Sequence, residues 1–80
     1  MDMPVGWDKA LVITTNDGTN LALPIRALYV GGAGDVTGVL LDGSTVLFSA
    51  VPVGAILPVQ FKRINSTGTT ATLLVGLAMI

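Results

Sequence analysis

The run from Arg26 to Ala50, RALYVGGAGDVTGVLLDGSTVLFSA, most constrains the fold. Its second half holds two β-rich runs, Val36 to Leu41 and Thr45 to Ala50, with Asp42-Gly43 between them. An Asp-Gly pair in that setting is a strong hairpin signal, because a type I′ turn needs positive φ at both central residues. The first half reads as another strand. Arg26, Leu28 and Val30 share one face, and Ala27 and Tyr29 the other. Gly31-Gly32-Ala33-Gly34-Asp35 then reads as a wide turn that breaks the strand.

The flanking segments follow the same logic. Lys9 to Thr15 is β-branched and long enough for one strand, and Asn16-Asp17-Gly18 supplies turn residues. Leu21 to Leu23 reads as a short strand that Pro24 ends or places on an edge. Pro52 and Gly54 mark a connection. Ile56 to Asn65 alternates after Pro58, with Val59, Phe61 and Arg63 on one face and Gln60, Lys62 and Ile64 on the other. Arg26 and Arg63, on otherwise apolar faces, are each expected to pair with an Asp. Asn65 to Gly68 is a turn. Thr69 to Met79 is the last strand, with Ala71, Leu73, Val75, Leu77 and Met79 on one side and Leu74, Gly76 and Ala78 on the other. A strand apolar on both sides is covered on both sides. No segment sustains a 3.6-residue period. The pattern predicts an all-β fold: a small antiparallel β-sandwich or barrel of six to seven short strands, with little or no helix. Residues 1–8 read as an irregular arm, and 9–80 as a single β-domain. Trp7, the arm's large apolar group, docks on its own domain or on a neighbouring subunit.

Size and composition ask for partners. A chain of 80 residues buries only about 60–65% of the surface its unfolded form exposes, and domains this small usually gain support from disulfides, metals or assembly. Cys and His are both absent, which removes disulfides and ordinary zinc or iron sites. Hydrophobic residues make up 51% and charged residues 11%, against a usual charged share of about 25%. Assembly with other chains is the support that remains.

The same composition argues against most chemistry. A net charge of −1 leaves no footprint for nucleic acid. Leu73 to Ile80, the longest apolar run, is far short of the roughly 20 residues that span a bilayer, so no membrane partner is expected. The N-terminal residues lack a basic region followed by an apolar core, and no cleaved signal is expected. Gly32-Ala33-Gly34 begins like a dinucleotide fingerprint, but Thr37 stands where the third glycine belongs, no helical pattern follows, and no Lys completes a phosphate loop. Without His, Cys or Glu, the usual acid–base groups are missing, so neither enzyme activity nor a cofactor is expected.

Three stretches carry a family resemblance: Arg26 to Asp35 (RALYVGGAGD), Val51 to Asn65 (VPVGAILPVQFKRIN) and Thr67 to Thr72 (TGTTAT). In order and spacing they resemble the small spike-base proteins of gene transfer agents and related tailed bacteriophages, from Pro24 to Leu77. The chain departs from that pattern at Leu77-Ala78-Met79-Ile80, where the family often ends on an aromatic. The resemblance implies a non-enzymatic virion component assembled in the host cytoplasm, an oligomeric base on the capsid that anchors a head spike or fibre. Its partners would be copies of itself, the major capsid protein and a spike or fibre protein. A capsid decoration protein is the alternative, followed by a ligand- or carbohydrate-binding β-module. The interface candidates are Trp7, Arg26, Tyr29, Gly31, Gly32, Gly34, Asp35, Leu73, Val75, Leu77 and Met79. Of these, the final strand is the expected subunit interface. The turns at Gly31 to Asp35 and Asn65 to Gly68 are the expected contacts with capsid or fibre.

Overall fold

The computed structural model describes residues 7–78. They form seven strands: β1 (Lys9–Val12), β2 (Ala27–Gly32), β3 (Gly34–Leu40), β4 (Thr45–Val51), β5 (Ile56–Leu57), β6 (Phe61–Ile64) and β7 (Thr72–Ala78). No helix occurs among the described residues. All pairings are antiparallel, in a four-stranded sheet of order β1-β7-β2-β5 and a three-stranded sheet of order β4-β3-β6. The core between the sheets is built on Ile25, Leu28, Val30, Val36, Phe61, Ile64 and Leu74, and no polar or charged side chain is buried among the described residues. Phe48 meets the Phe61 ring edge-on at 5.8 Å between centroids.

The glycine run is not a turn. Gly31 and Gly32 complete β2, Gly34 opens β3, and Ala33 alone separates them, so the chain passes directly from one sheet into the other. Missing side chains are needed there for close approach. A Cβ on Gly31 would stand 2.7 Å from the Leu73 carbonyl oxygen, and one on Gly34 would stand 2.6 Å from the Ala71 nitrogen.

The hairpin at Asp42-Gly43 forms, with a different turn. Gly43 N–H donates to Leu40 O at 3.0 Å and Leu40 N–H to Ser44 O at 2.8 Å. Gly43 alone of the pair has positive φ (92°), so Leu41 and Asp42 sit inside the turn and Gly43 follows in the left-handed region. Asp42 acts through its carboxylate, which accepts the Ser44 N–H at 2.9 Å. This is Asx-turn chemistry, which a type I′ geometry does not require.

Two expected segments differ. Leu21 to Leu23 is no strand. Instead, the chain from 16 to 25 runs beside β6, donating from Asn16, Leu21 and Ile25 N–H to Ile64, Lys62 and Phe61 carbonyls at 2.8–3.1 Å. The Ile56 to Asn65 run splits at Pro58 into β5 and β6, which belong to different sheets. The alternation of β6 is also broken. Between Val39 and Leu40 the ladder slips, leaving Lys62 as a bulge, so Phe61 and Ile64 are both buried and Arg63 does not share the face of Phe61.

Candidate interaction surface

In an antiparallel pair, residues opposite each other share a face, and the register of the four-stranded sheet therefore sorts its side chains. Leu28, Val30, Leu74, Gly76 and Leu11 face the core. On the outer face, Val12, Val75, Tyr29 and Ile56 form one row across β1, β7, β2 and β5. Ala10, Leu77 and Ala27 form a second row. Leu73 lies over Gly31, with its carbonyl and Cβ where a Gly31 side chain would be. None of these residues is charged. Part of the face is open: Val12 is 88% exposed and Leu73 76%, with Ile56 and Tyr29 exposed beside them, whereas Val75 and Leu77 are half-buried and Ala27 is buried.

The final strand thus carries apolar groups on both sides, Leu74, Gly76 and Ala78 inward and Leu73, Val75 and Leu77 outward. Of the sequence candidates, the structure gathers Tyr29, Gly31, Leu73, Val75 and Leu77 onto this one face. Val12 and Ile56 join them. Sequence reasoning missed both because only pairing register, through Val75 and Tyr29, places them there. Met79 lies outside the described residues. Trp7 is exposed just ahead of β1. Arg26 is exposed between the Ile25 bridge and β2, its N–H donating to Leu77 O at 2.8 Å. Gly32 pairs with Thr72.

Asp35 sits at the corner where the sheets meet, as part of the framework. Its carboxylate accepts the Ala50 N–H at 2.8 Å, and its carbonyl accepts the Thr70 and Ala71 N–H groups at 2.9 and 3.1 Å. Thr70 Oγ1 accepts the Asp35 N–H at 2.9 Å. Here the β3–β4 ladder gains a residue on β4, and Ala50 takes the left-handed region with φ 55°. The Asp35 carboxylate holds that bulge in place.

The Asn65–Gly68 turn is clamped from across the molecule. The Asp17 carboxylate accepts the Thr67 hydroxyl at 2.6 Å and the Thr67 N–H at 2.9 Å. Those bonds, the hydroxyl first, hold Asp17 below the ordinary aspartate value of 3.8. Among the described residues Arg63 does not pair with an Asp carboxylate as expected; its Nη1 donates to the Asp17 main-chain carbonyl at 3.1 Å, while the Asp17 carboxylate accepts from Thr67. The chemistry gathered at these sites is structural. No group of three or more His, Cys, Asp or Glu side chains comes together among the described residues.

No family model matches the chain, and no curated protein matches it. A solved structure does. A chain in the structure of the capsid of a native GTA (gene transfer agent) particle, computed with C5 symmetry, aligns over 89% of this chain and 82% of its own length, at 39% identity and a TM-score of 0.81. With that identity, coverage and shared fold, the chain belongs to the family of this gene transfer agent capsid component.

Proposed function

We propose that the chain is a non-enzymatic structural protein of a phage-like particle, an oligomeric base on the capsid that anchors a head spike or fibre. The observation that carries this reading is the 39% identity to a gene transfer agent capsid chain across 89% of this sequence. The motifs of Arg26 to Asp35 and Val51 to Asn65 supply the finer assignment, to the spike base, by resemblance. The mechanism is geometric. The outer face of the four-stranded sheet is sealed against neighbouring copies, and the clamped turn at Asn65 to Gly68 presents a rigid surface to capsid or fibre. Its partners are copies of itself, the major capsid protein and a spike or fibre protein, in a virion assembled in the host cytoplasm.

Quantifying the chain against the major capsid protein in purified particles tests the assignment. A low ratio, set by a few special positions, is the expected result. A ratio matching the whole capsid lattice would make it a decoration protein, and its absence from particles would overturn the reading.

A further inference from the structure

A sheet edge is a row of unpaired backbone groups, and proteins normally blunt it with charge, proline, bulges or cover. Among the described residues one of the four edges is covered, a second, β5, is only two residues long, and two are open. The chain from 16 to 25 hydrogen-bonds along the outer side of β6. At the other margin of that sheet, β4 is terminal, and among the described residues no strand pairs with its outer side. Its sequence, TVLFSAV, has no charge, and no charged residue occurs anywhere between Asp42 and Lys62. Val46 and Leu47 are both exposed although they point to opposite faces, as are Leu41 in the preceding turn and Val53 beyond. Among the described residues the second open edge is β1, terminal in the other sheet, where Lys9 is the one charged residue and Val12 is 88% exposed. Beside it lies an open recess of about 300 Å³ lined by uncharged residues, among them Val12, Asn16, Leu21 and Ala22.

Area decides what these edges are for. Strands of four, seven, six and two residues, about 4.8 Å apart and rising about 3.3 Å per residue, make a face on the order of 300 Å². A standard interface takes roughly 800 Å² from each partner. The outer face of the four-stranded sheet therefore falls short by more than half, and a self-associating chain of this kind needs a second contact.

We propose that copies join head to tail by strand addition, β4 of one copy pairing with the open edge of β1 in the next. The two edges lie in different sheets, so one copy uses both at once, and a heterologous contact of this kind closes into a ring where the rotation between copies closes and runs on as a filament where it does not. The added strand satisfies both rows of backbone groups and lengthens the uncharged outer face by a fifth strand. It also brings exposed Val46 or Leu47 beside Val12 and its recess. This deepens the proposed function and rests on its self-association.

The chain has no cysteine, so single-cysteine variants report contacts without background. V46C and L47C on β4 would be mixed with A10C and V12C on β1 and oxidised, with mass in solution measured by light scattering. Disulfide-linked dimers are expected only in the β4-with-β1 mixtures. A second variant, L47K, buries an unpaired charge in the contact and is expected to weaken self-association at least about tenfold while the circular dichroism of the monomer stays unchanged. Oligomers with no β4–β1 cross-link, or with β4 linked only to β4, would overturn strand addition and leave self-association standing. A chain that is monomeric at every concentration would remove both.

Discussion

Leu73 combines two properties that seldom occur together. Its φ is 54°, the left-handed region that non-glycine residues avoid, and its side chain is 76% exposed. Such a backbone costs about 1–3 kcal/mol and tends to persist where function uses it. The residue opposite is Gly31, which has room for the Leu73 carbonyl and Cβ only because it lacks a side chain. The pair holds a large apolar group outward on the surface assigned here to assembly. The two effects of Leu73→Gly should therefore have opposite signs. Relief of the strained φ, less the backbone entropy that glycine adds to the unfolded chain, should stabilise the monomer by up to about 2 kcal/mol. Association should weaken, because the outward side chain is gone. Urea unfolding at a monomeric concentration and sedimentation at a higher one separate these effects. A destabilised monomer with unchanged association would mean that Leu73 serves the fold alone.

At the scale of elements, the connections divide into turns that hold themselves and one that is held by another loop. The Asp42-Gly43 turn is local, and its residues announce it. The Asn65–Gly68 turn also depends on Asp17, fifty residues from Thr67 in sequence. Asp17 has a lowered pKa in the folded chain, so on acidification the unfolded chain takes up that proton first. The contribution is complete above the ordinary value of 3.8 and is lost as pH falls through the lower folded value. Asp42, lowered by the Ser44 N–H, acts in the same direction. The melting temperature should be level above about pH 5 and fall below about pH 4, and Asp17→Asn should flatten that fall. An unchanged profile in the variant would remove the clamp from the account.

The same division explains how much was legible beforehand. The β-class, the hairpin and the two-sided final strand follow from local pattern and appear in the structure. The glycine run was misread because glycine marks turns and close approaches alike, and only the partner strand tells which applies. At Gly31 the partner is Leu73. The alternation at Phe61 and Arg63 failed because a bulge at Lys62 shifts the register, and nothing in FKRI marks a bulge. Leu73, Val75 and Leu77 are legible as interface candidates from the two-sided apolar pattern of the final strand, and Tyr29 lies in the stretch that carries the family resemblance. Their assembly with Val12 and Ile56 into one face required the cross-strand register.

At the scale of the molecule, the excess of apolar residues has a location. The core takes Phe61, Ile25, Leu28 and their neighbours, and the remainder collects on the outer face of the four-stranded sheet and along β4. For so small a domain, such a surface is a cost in water and an asset in an assembly, where covering it adds to the burial that a small core supplies. Relationship to a gene transfer agent capsid component provides a setting for that assembly. The most direct test is a reconstruction of the particle that contains this chain. The account predicts copies on the capsid with Val12, Tyr29, Leu73 and Val75 buried between subunits. Particle density in which that face is turned to solvent, or in which the chain is missing, would contradict it.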